Sequence, residues 1–256
     1  MSFSVVIPAR YSSSRLLGKP LLDIVGKPMI QHVYEQARKS QARDVVIATD
    51  DDRIRVVCEQ FSAKVVMTSP DHLSGTDRLE EVVTQLDYYL DDIVVNVQGD
   101  EPMIPPRIIN QVAHNLSAEI EASVATLVEP INNIDILLNP NVVKVVVDNQ
   151  GFASYFSRAP VPWPRDHFLP VMDRAKGMPV GIDYYRHIGV YAYRVKLLKS
   201  FVKWSPSPTE LAEALEQLRV LWNGEKIHVD IADDIPPGGV DTQQDLDRVR
   251  ELIQRC

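Results

Sequence analysis

The stretch IVVNVQGDEP, residues 93–102, decides how this chain is read. Its apolar run from Ile93 to Val97 predicts a short buried strand. The run stops at Gly99, and two carboxylates, Asp100 and Glu101, and then Pro102 follow at once. In open α/β sheets ligands collect beyond the carboxyl ends of the strands. A carboxylate displayed there can hold a hard cation, and a hard cation in such a place commonly carries a phosphate. The same residues also read as a plain strand-end turn with solvated acids, so the neighbouring segments must decide.

Working outward, strands and helices alternate through the first half. Phe3 to Ile7, Val45 to Ala48 and Lys64 to Met67 are apolar and β-branched, as buried strands are. Pro28 stands where proline opens a helix carrying Met29, Ile30, Val33 and Ala37 at helical spacing. Asp50 and Asp51 can cap a helix with Ile54, Val57 and Phe61 inward, residues 77–89 form another helix, and Pro106 opens a fourth. Such alternation implies right-handed crossovers and a mostly parallel sheet covered on both faces. From about Asn141 the pattern changes. Residues 142–147 and 152–156 predict consecutive strands around a turn at residues 149–151, and a proline- and arginine-rich stretch covers residues 158–170. Residues 188–193 predict a strand and residues 210–222 one helix capped by Ser207 or Thr209. A late strand (226–230) and a terminal helix (242–255) complete the chain. No flexible linker intervenes, so the expectation is one domain of 256 residues. Residues 1–140 and 224–256 would form its core, and residues 141–223 a smaller subregion inserted in the same sheet.

The net charge of −8 argues against a nucleic-acid polymer as partner, because such a partner needs a basic surface to displace counterions. It leaves room for a small anionic ligand, since a few cations can converge locally. Cys58, in an apolar helical pattern, and the terminal Cys256 suggest neither a disulfide framework nor a thiolate metal site. The opening MSFSVVIPAR enters a strand directly, and no stretch approaches the roughly 18 apolar residues of a membrane span. The expectation is a soluble cytoplasmic protein with no membrane partner.

After the first strand comes PARYSSSRLLGKPL, residues 8–21, which sets Arg10, Arg15 and Lys19 on one loop among three serines and a glycine. Loop amides with nearby Arg and Lys bind phosphate through charge-assisted hydrogen bonds. Pro20 after Gly-Lys excludes a Walker loop, and GxGxxG is also absent; a solvated basic loop is the plainer alternative.

The pattern PAR-x-x-S-x-R-x-x-GKPL is similar to the signature of sugar-activating nucleotidyltransferases. With HLSGTDRLEEV (residues 72–82) and VNVQGDEP it resembles the 3-deoxy-manno-octulosonate (Kdo) cytidylyltransferases. The match continues through NPNVVKVV, YFSRAPVPWPRD, YRHIGVYAYR, ELAEALEQLRVLWNGEKIHV and GVDT, essentially the whole chain. One departure is Gln243-Gln244, where the family more often has Pro-Glu; these positions begin a helix and bear on its stability more than on chemistry.

The resemblance implies a three-layer, Rossmann-like nucleotidyltransferase fold. It also implies a reaction in which the anomeric hydroxyl of Kdo attacks the α-phosphorus of CTP, giving CMP-Kdo for lipopolysaccharide synthesis and pyrophosphate. It further implies Mg²⁺ as cofactor and a homodimer. Lys19, Arg10 and Asp100 would be catalytic, with Asp100 and Asp241 as metal carboxylates; Glu101 is the poorer candidate ligand, because adjacent side chains at a strand end point apart. Arg10, Arg15, Lys19, Ser74, Gly75, Thr76, Arg78, Gln98 and Gly99 would bind the nucleotide. Gln98, Arg158, Arg165, His187, Tyr191, Glu216 and Gln217 would bind the sugar. Some of these have plainer readings from the residues themselves. The SGTDR segment is also a helix cap, His187 also a core histidine, and Glu216 also a surface partner of Arg219. Three rival readings stand beside this one: a sialic-acid or 8-amino-Kdo cytidylyltransferase, a nucleotide-sugar glycosyltransferase, and a non-catalytic nucleotide sensor. The Asp-x-Asp motif usual in glycosyltransferases is missing from GDEP. A sensor would be expected to have lost Asp100, Asp241 or Lys19.

Overall fold

The stretch FSVVIPA, apolar but for Ser4, makes the first strand, β1 (Phe3–Ala9), and nearly every residue of it is buried. The computed structural model describes residues 2–12, 16–72, 74–168 and 177–255. After β1 a 3₁₀ turn at Lys19–Leu21 leads into a small hairpin of β2 (Asp23–Ile24) and β3 (Lys27–Pro28). Then come α1 (Met29–Arg38), β4 (Asp44–Thr49), α2 (Asp52–Gln60), β5 (Lys64–Met67), α3 (Gly75–Gln85), β6 (Ile93–Asn96), α4 (Pro106–Ala118) and β7 (Val124–Pro130). The second half holds α5 (Ile134–Leu138), β8 (Lys144–Val147), β9 (Ala153–Ser157), α6 (Arg165–Phe168), β10 (Tyr185–Arg194), α7 (Val195–Phe201), α8 (Pro208–Glu213), α9 (Gln217–Trp222), β11 (Ile227–Ile231) and α10 (Gln243–Gln254).

The main sheet runs β11-β7-β10-β6-β1-β4-β5, and the β8–β9 hairpin attaches to β10. The pairs β1–β4, β1–β6, β4–β5 and β11–β7 are parallel, whereas β10 runs antiparallel to both β6 and β7. The expected mostly parallel α/β sheet is therefore present. Helices cover both faces. On one, Ile30, Val33, Ile54, Ile108 and Val112 pack on Phe3, Val5 and Ile7; on the other, Leu79, Val82, Leu198, Phe201 and Leu218 pack on Val6, Val46 and Val94. From β1 the chain builds outward to β4 and β5, then returns to place β6 on the opposite side. This reversal opens a crevice at the carboxyl ends of β1 and β6, where such sheets bind ligands.

Two backbone positions shape that crevice. Gly99, just past β6, lies so close to β1 that a Cβ built on it would stand 2.7 Å from the Pro8 carbonyl oxygen. Only a residue without a side chain lets the GDEP turn approach β1 this closely. The second position corrects the helix expected over residues 210–222. Ser207 caps α8 through a capping box with Glu210, while Thr209 lies inside that helix. The helix then breaks at Ala214, which adopts φ 51°, ψ 51°, and α9 restarts with Glu216 at its N-cap. Leu215 is buried at this break, and the kink turns Glu216 toward the N-terminus of α3. Local propensity favoured a continuous helix; burial of Leu215 and Glu216 against neighbouring elements overrode it.

Replacing Ala214 by Gly should stabilise the fold by about 1 kcal/mol, because a left-handed C-cap suits glycine; a denaturant midpoint that does not rise would contradict this. Gly99→Ala should cost about 1–3 kcal/mol, since the obstructing atom is backbone and cannot swing aside. Chemical denaturation measures that loss directly.

Candidate active site

The site grows from the end of β1. Gly18, with φ 65°, turns the loop so that Lys19 enters the 3₁₀ turn with its side chain over the crevice. Lys19 Nζ donates to Asp100 Oδ2 at 2.7 Å and to Asp241 Oδ1 at 3.0 Å. Burial alone would lower the pKa of this amine, but the two carboxylates outweigh it and hold the pKa above the ordinary lysine value. Asp241 reaches this point because the Val240 amide donates to the Asp100 carbonyl at 2.9 Å, tying the GVDT segment to the GDEP turn. Arg10 donates from Nη2 to the Ser74 carbonyl at 2.9 Å; burial and the nearby Arg78 guanidinium hold its pKa below the usual value. Pro8, Arg10, Ser12, Lys19, Gly75, Gln98, Gly99 and Asp100 are among the residues lining one cleft of about 360 Å³. The structure thus brings Arg10, Lys19, Gly75, Gln98, Gly99, Asp100 and Asp241 together. Arg15 lies outside the described residues.

The SGTDR segment is the first turn of α3. Ser74 accepts from the Asp77 amide and Asp77 accepts from the Ser74 amide, so the cap is reciprocal. Gly75 and the Ser74 carbonyl face the cleft side of this turn. Arg78 does not, which corrects its expected nucleotide contact. It is fully buried, donating to Asp50 Oδ2 at 2.8 Å and to the Thr68 hydroxyl, and it braces the loop from behind. Losing one partner of such a buried ion pair costs on the order of 3–5 kcal/mol.

A second group of polar side chains gathers on the α3 face of the sheet. Thr76 donates its hydroxyl proton to Glu216 Oε1. Burial raises the Glu216 pKa, against the lowering effect of that hydrogen bond. Glu216 is therefore not the surface partner of Arg219, which instead pairs with Glu210. Tyr191 stacks on Tyr193, ring centroids 5.6 Å apart, and lies 5.1 Å from the His187 ring. Among the described residues, the Tyr191 hydroxyl is buried with no hydrogen-bond partner, and so is Asn96 Oδ1 on the adjacent strand. Two unpartnered polar atoms beside a half-buried carboxylate offer a polar ligand points of attachment. Gln217 follows Glu216 in the first turn of α9.

The two arginines expected near the sugar are placed otherwise. Arg158 donates to the carbonyls of Glu213 at 2.7 Å, Pro140 at 3.1 Å and Ala214 at 3.4 Å, so its guanidinium pins the helix break that orients Glu216. Arg165 is well exposed, with its neighbour Asp166 as ionic partner. Sequence reasoning also missed Glu213, which accepts from the Ser157 hydroxyl and the Arg158 amide, and Asn96. A polar residue closing an otherwise apolar strand was the available signal for Asn96. Glu101 lines a different cavity from Asp100, consistent with adjacent side chains pointing apart; burial and then Asp100 push its pKa up to about 7.

The sequence profile of the cytidylyltransferase family matches residues 4–227. The 3-deoxy-manno-octulosonate cytidylyltransferase of Marinobacter nauticus is 59% identical over 257 residues, covering 100% of this chain and 98% of its own. That of Cellvibrio japonicus is 60% identical and covers 99% of each. The solved structure of CMP:2-keto-3-deoxy-manno-octonic acid synthetase complexed with CTP superimposes with a TM-score of 0.88 at 43% identity, covering 99% of this chain and 98% of that one. A cytidylyltransferase from Leptospira borgpetersenii shares the fold, with a TM-score of 0.62 at 15% identity. Matched along its whole length by such relatives, the chain belongs to the cytidylyltransferase family, in the branch of the 3-deoxy-manno-octulosonate cytidylyltransferases.

Proposed function

We propose that this enzyme transfers the cytidylyl group of CTP to the anomeric hydroxyl of Kdo, giving CMP-Kdo and pyrophosphate. The observation that carries the reading is the cleft at the reversal of strand order, where Lys19 and Arg10 stand beside Asp100 and Asp241. The names of the relatives and the CTP-bound neighbour support it.

Both reactants are anions, so the cleft must neutralise charge before they can meet. Arg10 and Lys19 would face the triphosphate, and Lys19 would meet the charge that develops as pyrophosphate departs. Gly75 and the backbone of the α3 turn would lie against the cytosine, with Ser74 and Thr76 holding that turn in shape. Gln98, between the cleft and the α3 face, would bridge the two substrates. His187, Tyr191, Glu216 and Gln217 would bind the sugar.

The pair Asp100 and Asp241 suits Mg²⁺. Both are hard oxygen donors, and they already converge on a cation, the Lys19 ammonium, at 2.7 and 3.0 Å. Bound there, the ion would polarise the α-phosphoryl group and lower the pKa of the attacking hydroxyl. A cytoplasmic homodimer supplying activated Kdo for lipopolysaccharide synthesis belongs to the same proposal. No described helix is long and apolar enough to cross a membrane.

The direct test is pyrophosphate release with CTP, Mg²⁺ and a panel of acidic keto-sugars. Kdo should be turned over in preference to sialic acid, UTP or ATP should replace CTP poorly, and excess EDTA should abolish release. Equal turnover with UTP or ATP would sink the base assignment, and full activity in EDTA the metal role. Lys19→Ala should lower kcat about 100-fold or more with a smaller change in CTP affinity, because its charge matters most in the transition state. A variant with unchanged kcat and only a raised KM for CTP would contradict that role.

A further inference from the structure

Thr126 lies in β7 with no exposed surface, a polar residue in the apolar strand VATLVEP. It faces the one irregularity in the pairing of β7 with β10. Leu127 pairs with Ile188 and Thr126 with Tyr191, so Gly189 and Val190 bulge out of the ladder between them. The Thr126 hydroxyl reaches three atoms there: the Val190 carbonyl at 2.8 Å, the Ile188 carbonyl at 3.2 Å and His187 Nε2 at 2.9 Å.

A hydroxyl has one proton to give, and the two carbonyls can only accept. If His187 Nε2 lacked a proton, it would compete with both carbonyls for the hydroxyl's single proton. If Nε2 carries the proton, every group is matched. Nε2–H donates to Thr126 Oγ1, and the hydroxyl donates to the bulge. Burial independently keeps the ring neutral, pushing the His187 pKa down to about 3, so one nitrogen alone is protonated near pH 7. The other nitrogen, Nδ1, makes no hydrogen bond to the described residues. His187 as a residue keeps some exposed surface, and it borders a cavity of about 250 Å³ that Glu101, Gly189 and Gly238 also line. Phe156, 5.4 Å away and edge-on, and Tyr191 confine the ring from its sides.

We propose that Thr126 is a positioning residue for the keto-sugar: it sets His187 in the Nε2–H tautomer, so that Nδ1 accepts a hydrogen bond from a sugar hydroxyl. A lone pair at Nδ1 attracts a hydroxyl proton and repels a carboxylate. His187 therefore reads the hydroxyl pattern of the substrate and leaves its carboxylate to other groups. The sugar part of this inference rests on the proposed function, whereas the tautomer does not.

The tautomer is tested without substrate. In protein labelled with ¹⁵N-histidine, long-range ¹H–¹⁵N correlations at pH 7 should show a protonated Nε2 and an unprotonated Nδ1 for His187, its signals identified by their loss in His187→Gln. A protonated Nδ1, or an imidazolium, overturns the proposal even if no variant folds. Thr126→Val keeps the shape but removes the hydroxyl. It should abolish the single tautomer and raise the KM for Kdo about tenfold, the worth of a hydrogen bond, with a smaller change in kcat. Thr126→Ser should restore both. An unchanged tautomer in Thr126→Val overturns the role of the hydroxyl, and an altered tautomer with an unchanged KM overturns the link to the sugar. Absence of any Kdo turnover in the wild-type protein would instead be a failure of the proposed function, with the tautomer result standing apart.

Discussion

The cation at the mouth of the sheet is the contact on which the site depends. Lys19 Nζ bridges Asp100 and Asp241, which stand 81 and 222 residues away in sequence. Without a positive charge between them, two carboxylates at the ends of separate segments would repel one another. The Asp241 contact is half exposed and screened by solvent, worth about 1 kcal/mol or less, so it does little for stability. Its importance is geometric. It gathers the basic loop after β1, the turn after β6 and the segment after β11 around one point, with charges poised for a polyanion. That convergence needs Gly99, because the turn carrying Asp100 rests directly on the Pro8 carbonyl.

Behind this point the site is braced by polar groups taken out of water in matched sets. Arg78 with Asp50 and Thr68, and Lys144 with the carbonyls of Asn139, Val142 and Arg158, bring together segments far apart in the chain. Burying such groups is costly unless each finds a partner, and once matched they permit few alternative arrangements. The Tyr191 hydroxyl and Asn96 Oδ1 break this pattern, and they do so beside Glu216 and His187. Two of the buried polar atoms left unmatched among the described residues thus lie on the face proposed for the sugar, and Arg78 Nε, Tyr88 Oη, Glu101 Oε2 and His228 Nδ1 are unmatched elsewhere.

The two halves of the site differ in how they are built. The nucleotide side stands on parallel strands whose ends are close-packed, and its loops follow β1, β5 and β6 directly. The sugar side depends on β10, which runs against both its neighbours and carries a bulge, and on a helix broken at Ala214. Departures from regular geometry are where side chains can be aimed at a ligand. Arg158 gives up its charge to the carbonyls at that break, so its contribution to the sugar side is to hold Glu216 in place.

Local sequence by itself left β7 unread but determined the alternation of the main strands and helices from β1 to α4, the cap at Ser74, the strand end at GDEP and the basic loop carrying Arg10 and Lys19. Each depends on periodicity, on a capping side chain or on a glycine or proline, and those act over a few residues. The likeness of several ordered segments to one family extended that reading to substrates. Only the tertiary structure decided that Arg78 turns inward, that Glu216 meets Thr76 and leaves Arg219 to Glu210, that the helix over residues 210–222 breaks, and that Thr126 reaches His187. These outcomes turn on which donor finds which acceptor across 9 to 140 residues of chain. No local pattern encodes that choice, because it is settled by desolvation and packing once the sheet has formed.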